Sequence, residues 1–180
     1  MKKINLPVLG RVTMEETIGL LLWFAKQATS DINMNRLERT LPLRTSELKP
    51  ALKALEQFNL ITVKEARISI TISGLEFLRS EPPARRKYIR TVFERMEWVR
   101  TLLAQLGKSP SGRVPKAAIN DAVKLHSGVP IAESEVLGFI GWAESCEIFL
   151  YDEKRGELIL LDSRTPRDPQ PVAPNLEIAS

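Results

Sequence analysis

One cysteine, one histidine and no long apolar run in 180 residues remove several classes of function at the outset. A single thiol, Cys146, forms no internal disulfide. With only His126 beside it, neither a Cys/His zinc cage nor a two-histidine metal site can be assembled. Any Ser-His-Asp or Cys-His site has to use His126, which stands in "LHSGVP", a stretch that reads as a surface loop between helices. Cys146 lies in an apolar context beside the start of a strand, where a thiol is expected to be buried and inert. The longest apolar stretch, Ile18 to Ala25 in "IGLLLWFA", is far shorter than the roughly 20 residues a membrane-spanning helix needs. The opening "MKKINLPVLGRV" is interrupted by proline and arginine before a signal-peptide core forms, so a cytoplasmic protein without membrane insertion is expected. A phosphate-cradling loop is missing too. "LGKSPSG" at 106–112 contains Gly-Lys-Ser, but the glycine required five residues earlier is Leu102, inside a helical pattern. No Ser-Gly-Gly signature of an ABC ATPase occurs elsewhere, and no cofactor is implied.

What remains is a soluble globular chain with uneven charge. Residues 1–82 carry twelve Lys and Arg against nine Asp and Glu, residues 83–108 seven against two, and residues 109–162 five against nine. A basic centre therefore adjoins an acidic second half.

Hydrophobic periodicity organises the first 82 residues as three helices and a hairpin. "TMEE" is a capping box in which Thr13 and Glu16 exchange hydrogen bonds at a helix start, followed by Ile18, Leu21, Leu22 and Ala25 at helical spacing. A second helix fits "DINMNRLERTL", with Leu37 and Leu41 one turn apart, and a third fits 46–58, with Leu48, Leu52, Leu55 and Phe58 along one stripe and Pro50 near its first turn. "LITVKE" and "RISITI" are β-branched runs paired across Glu65-Ala66. "SGLE" is read as a second capping box, opening a short helix that ends by Pro82-Pro83.

The order then repeats. A long helix from about 84 to 106 presents Ile89, Val92, Met96, Val99, Leu103 and Leu106, with Gly107 as its stop. "VPKAAINDAVKL" starts a helix with Pro115 in first position, and a third helix at 132–145 turns Val136, Leu137, Ile140 and Ala143 inward. "EIFLYDEKRGELILL" closes the unit as a hairpin. Three helices followed by a hairpin is the order of a winged helix. The expectation is a mainly α chain with two small β-hairpins, built as tandem winged-helix modules over 1–82 and 83–162, the long linking helix packing against both. A proline-rich disordered tail follows at 163–180. Trp23, Trp98 and Trp142 fall one per main helical segment, and Trp23 and Trp98, adjacent to apolar stripes, are assigned to core or module-interface packing.

Three segments carry a family resemblance: "IGLLLWF" at 18–24, "ITISGLEFLRSEPPARRKYIRTVF" at 70–93 and "WAESCEIFLYD" at 142–152. From about "LPVLG" to "LILLD" the chain resembles the AAA-associated C-terminal domain. That domain is appended to ATPase subunits of nitrate/sulfonate/bicarbonate-type ABC importers and is also found as a stand-alone chain. Trp142, Glu147, Phe149, Tyr151 and Asp152 match the family pattern, whereas Glu144-Ser145 replaces an Arg-Tyr pair.

The densest basic patch is "ARRKYIR", with Arg85, Arg86, Lys87 and Arg90. Cations near a helix start oppose the dipole, at roughly 0.3–1 kcal/mol each, so their clustering points to an acidic partner: DNA phosphates, another protein or the second half of this chain. Groove reading by a winged helix needs cations on the third helix. The first module offers Lys49, Lys53 and Gln57 beside Glu47 and Glu56, while the second offers Glu133, Glu135 and Glu144 with no cation. The reading is a non-catalytic accessory module docking on an ATPase or other protein through the basic patch. The alternative is a winged-helix DNA-binding regulator that uses Lys49, Lys53 and Gln57 of the first module together with the basic 85–90 linker. An enzyme ranks third, because no acid or base has an evident partner.

Overall fold

The computed structural model describes residues 12–27, 32–33, 37, 45–65 and 67–161. The first helix, α1 (Met14–Lys26), opens on the expected capping box: the Glu16 amide donates to Thr13 Oγ1 at 3.2 Å, and the Thr13 amide donates to Glu16 Oε2 at 2.8 Å. Met14, Leu20, Leu21 and Phe24 form its buried face. Strand β1 (Ile32–Asn33) follows, where the sequence pattern suggested the start of a helix. Ile32 pairs with Ile68 and is buried, so cross-strand pairing outweighs the weak helical pattern of "DINM". Leu37 is helical and fully buried, and the rest of that expected helix lies outside the described residues.

Helix α2 (Thr45–Gln57) buries Leu48, Leu52 and Leu55 as the stripe predicts. The hairpin is β2 (Ile61–Lys64) with β3 (Arg67–Ile70), in the register Ile61 to Ile70 and Val63 to Ile68. Helix α3 (Ile72–Arg79) is capped two residues earlier than the "SGLE" reading places it. Thr71 is the cap residue, accepting from the Gly74 amide at 2.9 Å while donating to the Asn59 carbonyl at 2.6 Å. The cap thus ties α3 back to the turn before β2.

The long linking helix is two helices. α4 (Pro82–Arg95) and α5 (Glu97–Lys108) are separated at Met96, whose φ of −73° and ψ of 126° are extended. Gly107 is inside α5, and the stop is Ser109, whose amide returns to the Gln105 and Leu106 carbonyls. Pro115 ends strand β4 (Arg113–Pro115) instead of opening a helix, and α6 (Ala117–Ser127) begins two residues later and ends on Gly128 at φ 78°. His126 therefore sits in the last turn of α6, not in a loop. Helix α7 (Glu133–Ser145) buries Val136, Phe139, Ile140, Trp142 and Ala143, while Leu137 points outward, 49% exposed. Strands β5 (Phe149–Asp152) and β6 (Glu157–Leu160) form the closing hairpin.

Each hairpin gains a third strand from earlier in its own half, and both sheets are antiparallel, in the orders β1-β3-β2 and β4-β6-β5. The described chain is thus mainly helical with two small antiparallel sheets.

The buried side chains form one cluster on both sides of Pro82-Pro83. At its centre the Phe93 ring of α4 meets Phe58 at 5.5 Å, Phe139 at 5.5 Å and Trp142 at 6.4 Å, all edge-on. Phe58 also lies 5.1 Å from Trp142, and Trp98 lies 4.6 Å from Phe139. Edge-to-face pairs contribute about 0.5–1.5 kcal/mol each beyond buried area, so this string of rings is where the two halves stabilise each other. The Tyr88 hydroxyl, donating to the Phe58 carbonyl at 2.8 Å, fixes α4 to the end of α2.

Candidate interaction surfaces

The four basic residues of α4 have different surroundings. Arg85 is half-buried, donating from Nε to the Phe77 carbonyl at 3.1 Å and from Nη2 to the Leu78 carbonyl at 2.7 Å, with its guanidinium 5.9 Å from the Phe77 ring centroid. Those carbonyls belong to the last turn of α3, the negative end of its dipole. A cation that looks misplaced at the start of α4 is therefore well placed at the end of α3. Arg90 binds the Glu94 carboxylate at 2.7 Å and donates to the Glu147 carbonyl at 3.1 Å, linking α4 to the turn after α7. Glu147 holds a left-handed φ of 57°, and that bond helps keep its carbonyl turned toward α4. Arg86 is partly buried and Lys87 exposed, and neither side chain has a partner among the described residues. The patch is half internal clamp and half open charge.

On α2, Lys49 and Lys53 are exposed one turn apart, and Gln57 is partly buried at the helix end. Lys64 and Arg67, paired across the β2–β3 tip, are also exposed. Nothing in the described residues brings the α2 cations together with the α4 cluster into one site.

His126 Nε2 lies 2.8 Å from Thr101 Oγ1, and Nδ1 lies 3.7 Å from Glu97 Oε2. The order of atoms mimics a hydrolytic triad, but Thr101 Oγ1 also donates to the Glu97 carbonyl at 3.1 Å. The arrangement works as a strut between α5 and α6. Gly107 and Lys108 close the last turn of α5, so their amides face along the helix and do not form a phosphate cradle. Cys146 is 2% exposed, its Sγ 3.9 Å from Met14 Sδ, and burial pushes its thiol up to about 12 against the opposing pull of Arg86 and Arg90.

A feature the sequence pattern does not announce is a groove of about 360 Å³ between the start of α1 and α7. Val12, Met14, Leu137 and Trp142 make it apolar, and Gly138 and Gly141 flatten its α7 side. The Trp142 indole N–H, donating to the Val12 carbonyl at 2.8 Å, holds the two walls together. Assigning Leu137 to the core by its spacing concealed this groove.

Among the described residues no helix is long and apolar enough to cross a membrane, and no group of His, Cys, Asp and Glu has the arrangement of a metal site. The model of the C-terminal AAA-associated domain matches residues 35–152, well over half of the chain, from before α2 to the last residue of β5. The chain belongs to the C-terminal AAA-associated domain family. No curated protein and no solved structure matches it at a significant level. The Glu144-Ser145 pair has a visible use in the fold. Glu144 Oε1 accepts from the Tyr151 amide at 2.8 Å, covering a donor on the outer edge of β5, and the Ser145 hydroxyl donates to the Gly141 carbonyl.

Proposed function

We propose that the chain is a non-catalytic, cytoplasmic accessory protein of an ABC-type ATPase, built from winged-helix modules over 1–82 and 83–162 with a tail at 163–180. Family membership is the observation that carries this reading. The order helix, strand, helix, helix, hairpin from α5 to β6 supports the winged-helix assignment, as does the shared strand order of the two sheets. The helix that would enter a DNA groove in the second module, α7, carries three glutamates and no cation, so it repels phosphate and suits a protein. The basic cluster Arg85, Arg86, Lys87 and Arg90 is the docking patch, with Arg86 and Lys87 making the contact and Arg85 and Arg90 holding the helix that presents them.

The experiment is capture of a purified ABC-type ATPase subunit from the same genome on the immobilised chain. Arg86→Glu with Lys87→Glu is expected to weaken capture at least about tenfold, while Lys49→Ala with Lys53→Ala leaves it unchanged. Arg85 is left intact because its removal strips the carbonyl end of α3. Capture that ignores the reversal overturns the assignment of the patch, and no capture by the wild-type chain overturns the accessory reading.

A DNA-binding role draws support from one observation, the exposure of Lys49 and Lys53 together with Lys64 and Arg67 at the hairpin tip. It predicts duplex binding whose salt slope falls by about one unit for each of these lysines removed.

A further inference from the structure

The groove between the start of α1 and α7 is mainly apolar, with Glu15 as the one acidic residue of its lining. Leu137 lies half exposed along it, beside Gly138 and Gly141. Gly141 is the informative position. A glycine inside an exposed helix costs about 1 kcal/mol relative to alanine, yet apart from its chain neighbours and the helix's own backbone nothing lies within 4 Å of where a Cβ would be. The fold does not require a bare backbone there. Gly19 and Gly107 are equally open, but neither lines this groove.

Charge narrows the occupant. Helix α7 carries Glu133, Glu135 and Glu144 and no Lys or Arg, and the first turn of α1 adds Glu15 and Glu16. Glu133 pairs with Lys116, and Glu16, Glu135 and Glu144 accept from backbone amides, with no cationic partner for these three among the described residues. Glu15 lines the groove with no ion-pair partner among the described residues. A second copy of α7 would bring its own carboxylates against these, so self-pairing is disfavoured.

We propose that this groove receives one apolar helix flanked by Lys or Arg, supplied by the ATPase partner. The proposal rests on the accessory reading above and adds a second docking surface to the basic patch. Helix α7, at 13 residues, offers a track of about 20 Å, matching a partner helix of three to four turns. The glycine side of the track lets the two backbones approach closely, Leu137 and Met14 supply apolar edges, and Glu15 in the groove, with the α7 carboxylates outside its lining, selects a basic flank.

The test uses the full chain and a synthetic amphipathic peptide of about four turns, with a Leu/Ala face and Lys flanks. It is compared with the same peptide carrying Glu flanks, and amide resonances of the chain are followed by NMR. The Lys peptide is expected to shift Leu137, Gly138, Gly141 and the Val12–Glu15 turn. The Glu peptide should bind at least about tenfold more weakly, and Gly141→Leu should reduce binding of the Lys peptide at least about tenfold. Because open space surrounds Gly141, that variant keeps the fold, which an unchanged amide spectrum elsewhere verifies. Resonances that do not move, equal binding of both peptides, or full binding by Gly141→Leu each overturn the proposal. So does a rise of about tenfold in affinity on deleting residues 1–11, which would assign the groove to the chain's own start. A dimer that Gly141→Leu dissociates would assign it to a second copy, with the same consequence. If the peptide seats but no ATPase is captured by the wild-type chain, the accessory reading fails. If ATPase is captured equally by wild type and Gly141→Leu, the groove proposal fails alone.

Discussion

Replacing Phe93 by alanine tests whether the two halves share one core. Phe93 is fully buried on α4 and touches rings from both sides of Pro82-Pro83: Phe58 at the end of α2, and Phe139 and Trp142 on α7. Phe→Ala in a core costs about 3–5 kcal/mol, the transfer of the lost ring plus the cavity it leaves. Three aromatic neighbours lose an edge-on partner at once, and α4 is pinned at Tyr88 and Arg90, so it has little freedom to collapse into the space. The upper part of that range is therefore expected, about 4 kcal/mol. With a urea slope of about 2 kcal/mol/M, the unfolding midpoint falls by about 2 M. Tryptophan fluorescence reports the transition from within the cluster, because Trp98 and Trp142 belong to it, and far-UV circular dichroism reports the helices as a whole. Both signals should move together in one transition. A loss below about 1 kcal/mol, or a shift in only one of two separate transitions, would refute the argument that Phe93 joins the halves.

Two further outcomes follow from local geometry. Gly74→Ala places a Cβ 2.1 Å from the Leu60 carbonyl oxygen, itself held by the Thr71 amide, so a loss at the upper end of the roughly 1–3 kcal/mol range for overpacking is expected. That lowers the melting temperature by several degrees, and an unchanged melting curve would show that the Leu60 turn yields freely. For Cys146, the folded thiol titrates at about 12 against a usual 9.0, so the folded state keeps a proton that the unfolded state releases. Its contribution to stability is complete below pH 9 and is lost as pH rises from 9 to 12, at about 1.4 kcal/mol per unit. Urea titrations across that range check the slope. Alkylation at pH 8 should be blocked in the native chain and rapid in urea, and fast native labelling would contradict the burial.

The elements that depend on local chemistry were legible in the sequence. The Thr13–Glu16 box, both hairpins and the span of α7 all follow from spacing and residue type, and all are present. The elements that depend on distant partners were not. Met96 is a good helix former, and the apolar stripe runs through it unbroken, so nothing in the periodicity marks the break between α4 and α5. Strand β4 is three residues long and exists because Val114 pairs with Leu158, more than forty positions away. The same limit applies to the surfaces. The basic cluster was visible as composition, but its division into Arg85 and Arg90 as internal ties and Arg86 and Lys87 as open charge depends on where α3 ends and where Glu147 turns. The groove was hidden because i,i+1 neighbours such as Val136 and Leu137 both look apolar, and only the packed helix decides which one faces in.

The bond from the Trp142 indole to the Val12 carbonyl spans 130 positions and so sets an order of events during synthesis. At roughly 5–20 residues per second, a ribosome that has made Val12 works on for about 7–26 s before it reaches Trp142. Throughout that time Val12 and Met14 have no α7 to pack against, and α4, once made, waits without Phe139 for its Phe93. The first half therefore emerges with an unsatisfied apolar face, and its final stability arrives only when the last helix clears the exit tunnel. A truncation anywhere before α7 should thus behave as an aggregation-prone intermediate, so the nascent chain is the form most in need of a chaperone.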